Sequence, residues 1–199
     1  MSDAKQIKNV SALYDSAAEV YDEEYEALAD YQAPTIAKKF VEKYSIQSGS
    51  VLDIGCGTGK LVDYLGKNFS YTGVDISANM RPLANKKGMV TVQGDAVKIL
   101  SEMNDKSFDY LFALSSLYFI ENFQEFINQC DRVVRKAYFL TLEQFSEEVF
   151  QEMAGKGIQI FNNDVNIIQN PTEVLKDIYL WTRPKRTEKI NGNIVFKKM

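Results

Sequence analysis

The sequence predicts a doubly wound α/β fold with a mostly parallel sheet. Three observations carry that expectation. From residue 50 onward, short apolar runs alternate with amphipathic ones. The first apolar run, residues 51–54, enters a glycine-rich turn, Gly55-Cys56-Gly57-Thr58-Gly59. Acidic residues, Asp53, Asp75 and Asp95, stand at the ends of three successive strand-like runs. Alternation of this kind gives parallel strands joined by right-handed crossovers.

Each element has its own reason. Residues 4–45 read as helices, with Tyr14, Ala17, Ala18, Tyr21 and Tyr25 at helical spacings. Pro34 suits the first turn of a second helix that carries Ile36, Phe40, Val41 and Tyr44. Residues 51–54 and 71–74 are the first two strands, with a helix at 61–65 between them. Ser77 suits a cap for a helix through Asn85, and Pro82 inside it implies a kink or a late start. A third strand at 90–92 stops at Gly94-Asp95, and a short helix covers 97–103. Residues 108–114 are apolar except for Asp109, as in a strand covered on both faces. A helix at 121–134, a fifth strand at 137–142 and a helix from Pro171 to about Leu180 follow. At the end, 187–190 and 194–198 flank Asn191-Gly192-Asn193, the signal of a hairpin that adds an antiparallel strand.

Composition narrows the chemistry. The 199 residues suit one domain with a sizeable core. The net charge of −4 lacks the electrostatic footprint of a nucleic-acid binder, so no nucleic-acid partner is expected. The basic run Arg183, Lys185, Arg186 and Lys189 reads as a solvated strand face. Cys56 and Cys130 are far apart and read as free thiols of a reducing, cytoplasmic compartment. No apolar run approaches the ~20 residues of a membrane span, so no membrane partner is expected. The chain has no histidine, which excludes Ser-His-Asp and Cys-His catalysis and histidine-ligated metal. No metal is expected.

The glycine turn suits a ligand held against backbone. Glycines tolerate positive φ and remove the Cβ that would collide with it. Asp53 just before the turn would repel a pyrophosphate and attract a ligand bearing an ammonium group. Lys60 is followed by Leu61, so the turn is no Walker A loop. An acid ending the second strand, Asp75, reaches the ribose hydroxyls of an adenosine in a doubly wound fold. Asp95 can accept from an adenine amine, and the Ala96 N–H can donate to a ring nitrogen.

These segments together resemble the class I S-adenosylmethionine-dependent methyltransferases, a Rossmann-like three-layer family with a seven-stranded, mostly parallel sheet and an antiparallel C-terminal strand. Residues 53–59 resemble its first motif, Gly73-Val74-Asp75-Ile76-Ser77 the second, Gly94-Asp95-Ala96 the third, and the run from Phe108-Asp109-Tyr110 to Leu114 the fourth. The resemblance implies S-adenosyl-L-methionine as cofactor. It implies Gly55 and Gly57, with Cys56 between them, beneath the methionine moiety, Asp75 on ribose, Ile76 and Met80 about adenine, and Asp95 on the adenine amine. It places the Leu114 carbonyl near the methionine ammonium. Tyr14-Asp15 and Tyr21-Asp22 resemble the paired tyrosine segment of the small-molecule members, in which Tyr21 would border the methionine end.

Methyl transfer from a sulfonium needs in-line positioning more than a base. Tyr118 and Glu143 are candidates by position for a base, and Tyr118 equally suits packing beneath the helix at 121–134. A small or medium acceptor is expected from the net charge of −4 and the missing basic stripe, and Ser115-Ser116-Leu117-Tyr118 stands where an Asn-Pro-Pro-Tyr signature would follow the fourth strand. Two other classes share the pattern: a non-catalytic S-adenosylmethionine-binding regulatory protein and a Rossmann-type oxidoreductase. The whole chain reads as one domain: N-terminal helices over the site (1–45), a cofactor-binding core (46–143), an acceptor cover (144–169), and a helix with the C-terminal hairpin (170–199).

Overall fold

A computed structural model describes residues 3–27, 33–141, 147–158, 175–184 and 190–198. Three helices come first: α1 (Asp3–Ala17), α2 (Tyr21–Ala27) and α3 (Ala33–Lys43). The alternating core follows: β1 (Gly49–Ile54), α4 (Lys60–Leu65), β2 (Phe69–Asp75), α5 (Met80–Lys86), β3 (Val90–Gln93), α6 (Ala96–Glu102), β4 (Phe108–Ala113), α7 (Phe123–Val133) and β5 (Val134–Thr141). Five strands pair in parallel in the order β3-β2-β1-β4-β5. The chain winds outward from β1 in one direction and from β4 in the other. The carboxyl ends of β1 and β4 therefore flank the crevice in which such sheets bind ligands.

Strand periodicity builds the two cores. Val51 of β1, Tyr110 and Phe112 of β4, and Ala137 and Phe139 of β5 face the layer of α3, α4 and α5. Their neighbours Leu52, Leu111, Ala113, Tyr138 and Leu140 face α6 and α7. Both faces are thus buried, which is why these strands are apolar almost throughout. Two cations close helix ends on the second face. The Arg132 guanidinium donates to the Leu100 and Met103 carbonyls that end α6, at 2.7 Å each. Lys106 donates to the Asp131 and Val134 carbonyls at the end of α7. Asp109, the polar residue of β4, binds Ser50, Arg135 and Lys136. These contacts hold its carboxyl well below the usual range.

Two expectations for the C-terminal part are corrected. The helix expected from Pro171 to about Leu180 is not present over its described part: residues 175–180 belong to an extended segment, β6 (Leu175–Pro184). Its sequence holds Ile178, Tyr179, Trp181 and Thr182, which favour extended backbone over helix. Asn191-Gly192-Asn193 lies inside the extended segment β7 (Ile190–Lys198), not at a turn, so the Asn-Gly signal does not mark the hairpin. A helix α8 (Glu147–Gly155) lies in the stretch expected to cover the acceptor. Residues 142–146 and 159–174 of that region, with Glu143, and Lys185, Arg186 and Lys189 of the basic run, lie outside the described residues. Among the described residues no helix is long and apolar enough to cross a membrane.

Pro82 stands in the first turn of α5, so the helix starts late, at Met80, and is not kinked. Ser77 accepts from the Met80 N–H at 3.1 Å and so closes that start. Gly73 of β2 is tightly constrained. A Cβ there would lie 2.5 Å from Cys56 Sγ, 2.8 Å from Cys56 Cβ and 2.4 Å from Met89 Sδ. Gly73→Ala should therefore destabilise the fold by about 1–3 kcal/mol, the usual cost of overpacking. Urea melts check this, and adding Cys56→Ala should recover part of the loss.

Candidate functional site

The cavity opens at the carboxyl ends of β1, β2 and β4 and is roofed by α1 and α2. Its floor is the turn after β1. The Gly55 and Cys56 N–H groups both donate to the Val74 carbonyl, at 2.7 and 3.2 Å, which docks the turn on β2. Gly55 has φ +69°, and a Cβ on it would meet Ser116 Cβ at 2.5 Å. Its task is close packing against the segment after β4. Gly57, at φ +51°, has open space where a Cβ would stand, and it lines the cavity. The two glycines expected beneath one ligand moiety thus do different work, and Gly57 is the one that leaves room for a ligand.

Asp75 ends β2 and is 8 % exposed. One of its oxygens accepts from the Gly57 N–H at 2.7 Å and the other from the Ser77 N–H at 2.8 Å. Burial raises its pKa, against the pull of these backbone donors. Asp53 is 3 % exposed and does not line the cavity. It lies in the wall, where burial and then the charge of Asp75 push its carboxyl up to about 8. A cation brought near this pair would be favoured.

The other predicted residues are brought together. Tyr21, Cys56, Ile76, Met80, Asp95, Ala96 and Leu114 all line the cavity with Gly55, Gly57 and Asp75. Asp95 does a second job that its place in the chain allows: it caps α6, accepting from the Lys98 N–H at 3.0 Å. Ala96 therefore opens that helix, where N–H groups lack intrahelical partners. Ile7 and Val10 of α1, and Phe119 and Ile120 of the turn after β4, which the sequence did not single out, also line the cavity, together with Gln6, Tyr14 and Ser115. The Tyr14 ring packs edge-on at 5.9 Å from Phe119 and 6.1 Å from Tyr21. The apolar run 117–120 after β4 was the available signal. Ser115 adopts φ +56° and donates its N–H to the buried Thr141 hydroxyl at 2.8 Å. Tyr118 is 1 % exposed, within the core cluster of Phe126 and Ile127, as its packing role beneath α7 requires. Among the described residues no cluster of His, Cys, Asp or Glu could hold a metal ion.

Comparison with known proteins agrees with this geometry. Residues 52–141 match the family described as methyltransferase domain. Over 103 residues the chain is 33 % identical to a fatty-acid O-methyltransferase of Mycolicibacterium smegmatis, covering 48 % of this chain and 37 % of that one. It is 28 % identical over 141 residues to the malonyl-[acyl-carrier protein] O-methyltransferase of Priestia megaterium, covering 65 % of this chain and 50 % of that protein. The chain thus spans half or less of the length of these relatives. Among solved structures, magnesium protoporphyrin IX methyltransferase from Synechocystis, with bound S-adenosylhomocysteine, superposes with a TM-score of 0.63 at 16 % identity. It covers 85 % of this chain and 83 % of its own. A methyltransferase from Archaeoglobus fulgidus gives 0.59 at 17 % identity, covering 87 % of this chain and all of its own. Residues 52–141 thus match a methyltransferase domain, and the five-stranded parallel sheet that carries the cavity has the fold of solved S-adenosylmethionine-dependent methyltransferases.

Proposed function

We propose that this chain transfers a methyl group from S-adenosyl-L-methionine to an oxygen of a small or medium acceptor, and that the acceptor is an apolar carboxylic acid. The observation that carries the first half is Asp75, which offers its carboxylate to the cavity while Gly57 leaves open space beside it. In this reading Asp75 holds the ribose hydroxyls. Ile76 and Met80 flank adenine, Asp95 accepts from its amine, and the Ala96 N–H donates to a ring nitrogen. Gly55, Cys56 and Gly57 pass beneath the methionine moiety, the Leu114 carbonyl faces its ammonium, and Tyr21 covers that end. Asp53 contributes negative charge from within the wall. The bound cofactor supplies an electrophilic methyl on a sulfonium.

The acceptor half rests on the other end of the cavity. Ile7, Val10, Phe119 and Ile120 make it apolar. The chain has no histidine, and the carboxylates that the described lining presents are Asp75 and Asp95, which this reading assigns to the cofactor. A nucleophile that is ionised at neutral pH needs no base. The relatives named for a fatty acid and for malonyl-[acyl-carrier protein] support this reading. The protein's part is then to exclude water and to align the two reactants, which together supply a large share of a transfer barrier. We further read residues 1–199 as one domain, with the N-terminal helices over the site. The sheet is completed to seven strands by β7 and β6. The antiparallel registers Tyr138↔Phe196 and Tyr179↔Val195 support that completion. The net charge of −4 supports a partner that is not nucleic acid.

Three outcomes test this. Calorimetry should show S-adenosylhomocysteine binding, and Asp75→Ala should weaken it by about 1.5–3 kcal/mol, the worth of hydrogen bonds to a charged group. Unchanged affinity refutes the ribose assignment. The raised pKa of Asp53 has a sign that melting reads. The folded state holds a proton that the unfolded state has lost between pH ~4 and ~8, so stability of the ligand-free protein falls as pH rises through that window. Asp53→Asn should flatten this fall. Finally, with radiolabelled methyl donor, long-chain fatty acids should yield base-labile methyl esters, while phenols, amines and RNA yield no label. Label on RNA or on an amine overturns the acceptor class.

A further inference from the structure

The dipeptide Tyr-Asp occurs twice in the N-terminal helices, seven residues apart, as Tyr14-Asp15 and Tyr21-Asp22. In both copies the tyrosine lines the cavity and the aspartate docks on a turn of the cofactor floor. Asp22 reaches the turn after β1. Its Oδ1 accepts from the Thr58 hydroxyl at 2.6 Å, with Lys60 Nζ at 3.6 Å. Its Oδ2 accepts from Lys87 Nζ at 3.0 Å, and Lys87 in turn pairs with Asp63 of α4 at 2.8 Å. Asp15 reaches the turn after β2. Its Oδ1 accepts from the Ser77 hydroxyl and from the Asn79 N–H at 3.0 Å, and its carbonyl accepts from Asn79 Nδ2 at 3.0 Å. Ser11 adds a bond to the Ile76 carbonyl. Thr58 and Ser77 are both buried, so the two aspartates have fixed partners. These are the same two turns whose Gly57 and Ser77 N–H groups Asp75 gathers.

We infer that Asp15 and Asp22 are positioning residues that pin Tyr14 and Tyr21 over the bound cofactor and so set how fast it leaves. The inference rests on the cofactor proposed above. The roof is fastened to the floor at the two turns that would hold the ligand, and the ligand lies between them. Each fastening uses both faces of a carboxylate, or a carboxylate and its own backbone. Asn at position 22 would keep one acceptor for Thr58 but turn an amide N–H₂ toward Lys87 or Thr58. Release needs the roof to lift, and lifting breaks these bonds. Entry passes through the same lifted form, so weaker fastenings do not slow it.

The full-length chain and S-adenosylhomocysteine test this by stopped-flow displacement. Asp22→Asn and Asp15→Asn should each speed dissociation by about tenfold, the size of one charged hydrogen bond. Association should be unchanged or faster, because the lifted form also admits the ligand. Thr58→Val should match Asp22→Asn, and Thr58→Ser, which keeps the hydroxyl, should restore slow release. The ligand-free melting temperature identifies any variant that fails to fold, and the Thr58 pair then decides. Equal release rates in wild type, Asp22→Asn and Thr58→Val overturn the inference, as does a loss of affinity carried by slower association. A wild-type chain that does not bind S-adenosylhomocysteine overturns the cofactor reading itself, and this inference with it.

Discussion

The carboxylate of Asp75 is the point on which the site depends. It sits at the end of β2, nearly out of water, and each oxygen takes one backbone N–H. Those donors belong to the turn after β1 and to the turn after β2. A buried charge is costly unless such donors meet it. The two turns are therefore held in one geometry by the need to satisfy one acid. Everything that lines the floor follows: Gly57 is held at the cavity, Ser77 is placed to close α5, and the Ser77 hydroxyl is turned toward Asp15.

The floor also needs room beneath it. Cys56 sinks against β2 because Gly73 has no side chain, and Met89 fills the remainder. On the other flank Gly55 lets the segment after β4 come close enough for Ser116 to donate to the Ile54 carbonyl at 2.8 Å. Close approach at both flanks, and hydrogen bonds at the centre, leave the turn little freedom. A site built this way is pre-formed, as ligand pockets usually are.

The core was legible in the sequence because its physics is local. Apolar runs ending in Asp75 and Asp95, and glycines following residues 51–54, are readable from composition and spacing alone. They pointed to β1 to β5, the glycine turn, Asp75 and Asp95, whereas Tyr21, Ile76, Met80 and Leu114 came from the family resemblance. The C-terminal part was misread for the same reason. Pro171 and the residues after it suggest a helix only while their neighbours are unknown, and Asn-Gly marks a turn only where the chain reverses. In the fold both segments are extended, so pairing outweighs local preference there. Val10 and Ile120 were not singled out because the cavity brings together residues more than a hundred positions apart. Asp53 was read as facing a ligand, but its backbone place just before the turn puts it inside the wall.

That buried pair, Asp53 beside Asp75, bears on how long the protein lasts. Two acids share one dry pocket, and above neutral pH their repulsion is borne by the empty fold. A ligand that brings positive charge relieves it, and any ligand that binds only the folded state also raises stability by mass action. The empty chain is then the form that opens most often, and open chains are what proteases cut. Binding of a small cationic ligand would in this way lower how often the chain opens to such cutting.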